Sequence, residues 1–173
     1  MAILCDSEIR ALLEQGVVEN ADPALVNPAS LDLRLGKALL IESAASIELV
    51  AYPLDKHSQD NPYLMVPGQF VLAETIEVFN LPDEIAGQFV LKSSRAREGI
   101  NHMLAGFCDP GWNGSKLTME LHNSRQLHPV AIWPGMKIGQ MVFHRMSAQP
   151  EQSYADVGNY NADQMVQASR GHR

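Results

Sequence analysis

Beyond residue 16 the chain loses helical period and becomes a succession of short apolar runs separated by turn-forming dipeptides. Pro67-Gly68 precedes residues 69–79, Pro82-Asp83 precedes 85–91, and Pro134-Gly135 introduces 137–146. Pro110-Gly111 and Asn113-Gly114 punctuate the centre. Proline presets φ and glycine takes conformations closed to other residues, so each pair marks a reversal. Between the turns the pattern alternates. Leu31, Leu33 and Leu35 interleave with Ser30, Asp32 and Arg34, while Leu117, Met119 and Leu121 interleave with Lys116, Thr118, Glu120 and His122. That period of two separates the faces of a half-buried strand. Many short strands at this spacing predict an all-β barrel or sandwich. The exception is residues 6–15, where Ile9, Leu12 and Leu13 recur at helical spacing, Asp6 or Ser7 is placed to cap, and Gly16 to stop. From Gln149 the chain is polar and aperiodic. The expected organisation is therefore a β domain with a short N-terminal helix over 1–148, and a tail over 149–173, disordered alone or ordered by a ligand or a neighbouring subunit.

A length of 173 residues fits one domain with a real core. Thirteen Lys+Arg against twenty Asp+Glu give a net charge of −7. Coating a nucleic acid polymer or binding a membrane through basic residues needs the opposite excess, so both are disfavoured as partners. The two cysteines, Cys5 and Cys108, make no disulfide framework and lie beside no paired metal ligands. The N-terminus lacks the basic and apolar regions of a secretory signal, and no run approaches ~18 apolar residues. These features together predict a cytoplasmic protein.

Three segments carry candidate chemistry. Residues 92–99 (KSSRAREG) follow an apolar strand and pack three cations and two hydroxyls into six positions. Arginine gives forked, charge-assisted hydrogen bonds, and a helix starting near Ser93 adds backbone donors, so the segment is a candidate phosphate cradle; its plainer reading is a solvated helical turn. Residues 109–114 (DPGWNG) form a tight turn with one carboxylate, which by itself need be only a turn. Glu120 sits on a strand between Thr118 and His122. A carboxylate there, screened from water, has its pKa raised and serves as general base and acid; exposed, it is ordinary strand polarity. No histidine forms an H-x-E, and no P-C-x-x-C accompanies one, so the zinc deaminase signature is missing. Neither a Walker loop nor a G-x-S-x-G elbow occurs.

Taken in order, these segments resemble the dCTP deaminases of the trimeric dUTPase-like superfamily. Residues 28–36 (PASLDLRLG) resemble that family's first core strand, and 92–97 its R-S-S-x-x-R segment. Residues 109–114 resemble its D-P-G-[WF]-x-G turn, 118–121 (TMEL) its T-L-E-L strand, and 133–139 (WPGMKIG) its P-G-M-x-I-G segment. Tyr160, Gln164, Ser169 and Arg170 resemble its tail ending. The resemblance implies a dUTPase-like distorted β-barrel or jelly roll, assembled as a homotrimer with sites between subunits. It implies zinc-independent hydrolysis of dCTP to dUTP and ammonia in pyrimidine deoxynucleotide metabolism. Glu120 is then the general base, Ser93 and Arg97 place and polarise water and base, and Lys92, Ser94 and Arg95 face the phosphates with Mg²⁺ bridging them. Asp109 sits by the deoxyribose, Thr118 and Met119 along the pyrimidine edge, and Tyr154, Tyr160 and Gln164 close from the tail.

The chain departs from the pattern at specific places. Lys92 replaces an Arg, and Arg95 and Glu98 occupy usually apolar positions. Residues 99–102 are one residue short, and Gly114 to Glu120 carries one more, at Ser115. A strand can absorb such a change only through a bulge or turn if Glu120 is to keep its face. In the tail Asn159 replaces a Lys and Met165 a Gly, and either Asp163 or Gln164 aligns with the family's Gln. Two other readings stay open beside dCTP deamination. One is a dUTP diphosphatase, or a bifunctional enzyme giving dUMP, with an acidic residue such as Asp109 orienting water at the α-phosphate; Trp112, where dUTP diphosphatases carry Tyr, counts against it. The other is a nucleotide-binding relative with altered or no catalysis.

Overall fold

The Pro-Gly turns act as their chemistry requires: Gly68 and Gly135 hold φ of 75° and 82°, and a strand begins two residues after each. A computed structural model describes residues 2–171; positions 1, 172 and 173 lie outside the described residues, the last two being the end of the expected tail. In chain order the first elements are β1 (Ala2–Ile3), α1 (Asp6–Glu14), β2 (Val18–Glu19), β3 (Val26–Asn27) and β4 (Ser30–Ser43). Then come β5 (Ser46–Pro53), β6 (Tyr63–Met65), β7 (Phe70–Phe79), β8 (Ile85–Leu91) and α2 (Ser93–Arg97). The chain continues through β9 (Ile100–Asn101), β10 (Phe107–Cys108), β11 (Ser115–Asn123), β12 (Val130–Ile132), β13 (Lys137–Arg145) and α3 (Tyr154–Val157). The predicted all-β architecture with a short N-terminal helix is the observed one. No helix among the described residues is long and apolar enough to cross a membrane.

Pairing is antiparallel throughout, in the order β10-β8-β13-β4-β7-β11-β9, with β1, β2, β3 and β5 attached to its strands and β6-β12 forming a separate ladder. Strand β4 turns the corner of this curled sheet. Its first half pairs with β13, from Leu31 against Met141 to Arg34 against Lys137. Its second half pairs with β7, from Leu35 against Thr75 to Ile41 against Val71. The alternation over 30–35 therefore captured only the first of its two roles. Between Leu35 and Leu39 the register slips by two residues. A Cβ on Gly36 would lie 2.5 Å from Glu74 Cγ and 2.9 Å from its Oε1, so the Glu74 side chain fills the space any larger residue would need. Leu31, Leu33, Leu35, Leu39, Met119, Leu121, Met141 and Phe143 fill the enclosed core with at most 1% exposure. Strand β5 escaped the sequence because its residues are mostly exposed, leaving no alternation to read. Helix α1 ends one residue early, at Glu14, and is capped by Cys5 rather than the expected Asp6 or Ser7; the Cys5 N–H donates to the Glu8 carboxylate at 3.1 Å.

The tail folds back on its own chain. Trp112 Nε1 donates to Tyr160 O at 2.7 Å and the Lys116 N–H donates to Asp163 O at 2.8 Å. Ser115 Oγ donates to Tyr160 O and accepts the Asp163 N–H, at 3.1 and 3.0 Å. Residues 160–167 therefore run along β11, held by polar groups of that strand and of Trp112 just before it.

Candidate active site

Where the tail crosses β7 and β11 it encloses a cavity of about 540 Å³. Phe70 and Leu72 of β7 and Lys116, Thr118 and Glu120 of β11 form its floor. Phe107, Asp109 and Trp112 form one wall, and Tyr154, Tyr160, Asp163 and Gln167 the roof. Leu49 of β5 closes the apolar end.

Glu120 is here for a geometrical reason. Residues of β11 alternate strictly between buried and half-buried, so Leu117, Met119 and Leu121 enter the core while Lys116, Thr118 and Glu120 line the cavity. The pairing of β11 with β7 has an irregularity between Lys116 and Thr118, where two steps on β11 oppose four on β7, the reverse of what an added residue on β11 would give. The extra residues are thus on the partner strand. Thr75, fully buried, spans the irregularity: its Oγ1 accepts the Leu117 N–H at 3.0 Å and donates to Glu77 O at 2.8 Å. Beyond it the register is regular, with Glu120 opposite Leu72. Burial against these apolar neighbours raises the Glu120 carboxyl above the usual carboxylate range, a backbone hydrogen bond opposing only in part. Its Oε2 is buried with no hydrogen-bond partner. An orphaned acceptor in an apolar setting is costly, and such groups cluster where chemistry is done.

The other cavity groups divide by role. Asp109 is exposed at the mouth. Tyr154 is a neutral phenol, its pKa raised chiefly by burial. Cys108 is a buried thiol pushed up to about 12, by burial first and the Asp109 charge second, which makes it wall rather than nucleophile. Thr118 Oγ1 accepts the Gln167 N–H at 3.1 Å. Met119 is 1% exposed, so its side chain belongs to the core and it does not line the cavity. Of the two candidates for the tail position, Asp163 is buried and lines the cavity, whereas Gln164 is exposed and donates to Gly114 O. Asp163 Oδ1 pairs with Arg170 NH2, and its Oδ2 is buried without a partner. Arg170 stacks on Tyr160 at 5.1 Å.

Ser93, Ser94, Arg95, Arg97 and Lys92 stand apart from this cavity in the single chain. Lys92 Nζ lies 2.6 Å from buried Asp32 Oδ1, and Lys137 approaches the same carboxylate at 3.7 Å. Arg95 pairs with Glu98 at 2.9 Å. Ser93, Ser94 and Arg97 are exposed, and Arg97 has no ion-pair partner among the described residues. Sequence reasoning missed Lys116, Gln167, Phe70, Leu72 and Phe107 as lining residues. Alternation placed Lys116 on the Glu120 face, the one available signal; the others depend on tertiary contacts.

A family model described as dCTP deaminase-like matches residues 3–146. A protein of Acidothermus cellulolyticus named "dCTP deaminase, dUMP-forming" is 39% identical over 168 residues, spanning 88% of this chain and 84% of that relative. One of the same name from Pseudarthrobacter chlorophenolicus is 38% identical over 186 residues, spanning 98% and 95%. The crystal structure of 2'-deoxycytidine 5'-triphosphate deaminase from Agrobacterium tumefaciens superposes with a TM-score of 0.67 at 23% identity, over 83% of this chain. This chain spans 48% of that one, and the likeness is one of fold.

Proposed function

This chain belongs to the dCTP deaminase-like family, and on that premise we propose that it converts dCTP and two waters into dUMP, pyrophosphate and ammonia. The observation that carries deamination is Glu120, a strand-mounted carboxyl lining the cavity, with one buried oxygen unpartnered and its pKa raised. Its carboxylate takes a proton from water as the oxygen bonds to C4 of cytosine. That proton passes to the amino nitrogen as the C4–N bond breaks, and the second water proton moves from the new hydroxyl to N3, leaving a carbonyl, a protonated N3 and ammonia. General acid–base catalysis of this kind contributes ~10²–10⁴ in rate.

The sequence ranked dUTP as the end product, with dUMP as the alternative. The relatives matched over most of their length carry the dUMP-forming name, which favours the alternative. In the second step a water attacks the α-phosphorus and the bond to the bridging β-oxygen breaks, releasing pyrophosphate. Asp109, at the cavity mouth, is the carboxylate we assign to orient that water. Mg²⁺ belongs on the phosphate oxygens and water, since Mg²⁺ dehydrates reluctantly and is commonly held through substrate phosphates. The described residues contain no group of three or more His, Cys, Asp or Glu that could hold a metal ion. The ion neutralises phosphate charge when bound; the residues named here supply the rest.

The cation segment completes the site only from a second copy. Ser93, Ser94 and Arg97 are exposed and remote from their own chain's cavity. We assign them to the cavity of a neighbouring copy in a homotrimer, with Ser93 and Arg97 at the water and base, and Ser94, Lys92 and Arg95 toward the phosphates. Thr118 borders the pyrimidine, and Tyr154 and Tyr160 cover the nucleotide. Asp163 takes the tail position first considered for Gln164. Resolving products from dCTP with Mg²⁺ tests the reading. Ammonia, dUMP and pyrophosphate are expected; dUTP as sole end product would return the simpler deaminase, and tight binding without turnover a non-catalytic relative.

A further inference from the structure

Lys116 is a cation that the motifs leave unassigned and the cavity does not. It lies on β11 four residues before Glu120, on the same face as Thr118 and Glu120. Its ammonium is 2.9 Å from Glu74 Oε1, and the exposures are unequal: 22% for the Lys116 side chain and 5% for that of Glu74. The counter-ion is thus enclosed within the sheet while the cation borders open volume. Glu74 is also committed to the tail, its Oε2 accepting the Val166 N–H at 2.9 Å. Lys116 directly follows Ser115, the position where this chain carries one residue more than its family's pattern.

The cavity is graded along β11. At the Glu120 end Leu72 lies opposite and Phe70 follows, apolar surfaces suited to a flat pyrimidine. At the Lys116 end the tail supplies Asp163, whose charge is met by Arg170. At about 3.3 Å per residue, four strand residues span ~13 Å, a length that a nucleoside triphosphate bridges and a nucleoside does not. Ammonium groups are compact point charges suited to phosphate oxygens. Resting on the function proposed above, we propose that Lys116 binds the distal phosphates of the nucleotide from within the same chain as the base pocket, with Glu74 holding its ammonium in place.

Equilibrium titration tests this, with Glu120→Gln introduced to block turnover and Mg²⁺ present. Adding Lys116→Gln is expected to weaken dCTP binding at least tenfold while changing dCMP binding less than twofold. Because Lys116→Gln alone leaves Glu74 buried without its counter-ion, which is strongly destabilising, Lys116→Gln with Glu74→Gln is measured beside it and is expected to lose the same triphosphate preference. Equal weakening of dCTP and dCMP, or unchanged dCTP binding in the doubly neutralised pair, overturns the assignment. Failure of the parent reading looks different: the unaltered chain then releases no ammonia from dCTP.

Discussion

The proposed chemistry rests on one carboxyl, that of Glu120, whose surroundings give it a pH signature. Burial raises its pKa in the folded chain, so across the interval above the ordinary carboxylate value the folded state holds a proton that the unfolded state has lost. Stability from this group is complete below the unfolded pKa and declines as pH rises through the folded one. Glu120→Gln removes the liability. Its urea midpoint is expected to exceed that of the unaltered chain at pH 7, with the gap closing toward pH 4; a gap independent of pH would contradict the burial account. Catalysis needs the ionised form, so the acid limb of kcat lies nearer neutrality than an exposed glutamate would put it. Glu120 was legible in the sequence because strand alternation gave its face and flanking hydroxyl and imidazole groups gave its character. Lys116 shared that face but lacked a motif, and that Asp163 rather than Gln164 lines the cavity is visible only in the tail's path along β11.

The strands were legible where a turn-forming dipeptide preceded an apolar or alternating run, as Pro67-Gly68 does before β7, Asn113-Gly114 before β11 and Pro134-Gly135 before β13. What the pattern could not carry was irregularity. The slip in β4 at residues 36–38 and that in β7 at residues 75–77 have no turn signature, and both converge on Glu74 and Thr75. Bulges bend and twist a strand and re-aim what it carries; here they let β11 present Lys116, Thr118 and Glu120 to the cavity. Thr75 holds the second slip together through two buried hydrogen bonds. Thr75→Val strands the Leu117 N–H and the Glu77 carbonyl inside the sheet. The expected cost is about 1–3 kcal/mol, read as a lower urea midpoint at unchanged m-value. A midpoint equal to that of the unaltered chain would show that those groups find other partners. The three-residue strands β6 and β12 were illegible for a simpler reason: they are too short to show a period.

At the scale of the whole molecule, a chain with net charge −7 handles a polyanionic nucleotide by placing cations rather than accumulating them. Lys116 is at the cavity in the single chain, while the segment around Arg97 stands apart from it, and the proposed homotrimer is what would bring the two together. Subunit mixing follows from this arrangement. Glu120→Gln and Arg97→Ala are each expected to be silent alone, yet co-expressed they should regain turnover, because some mixed sites join an intact Glu120 to an intact Arg97. Mixtures that stay silent would place both residues in the same chain's site. The central claim, that one cavity takes dCTP to dUMP through Glu120, is tested most directly by following ammonia and pyrophosphate together from dCTP. The unaltered chain is expected to release them at equal rates, and Glu120→Gln to lower both by ~10²-fold or more; ammonia release that survives Glu120→Gln would contradict the account.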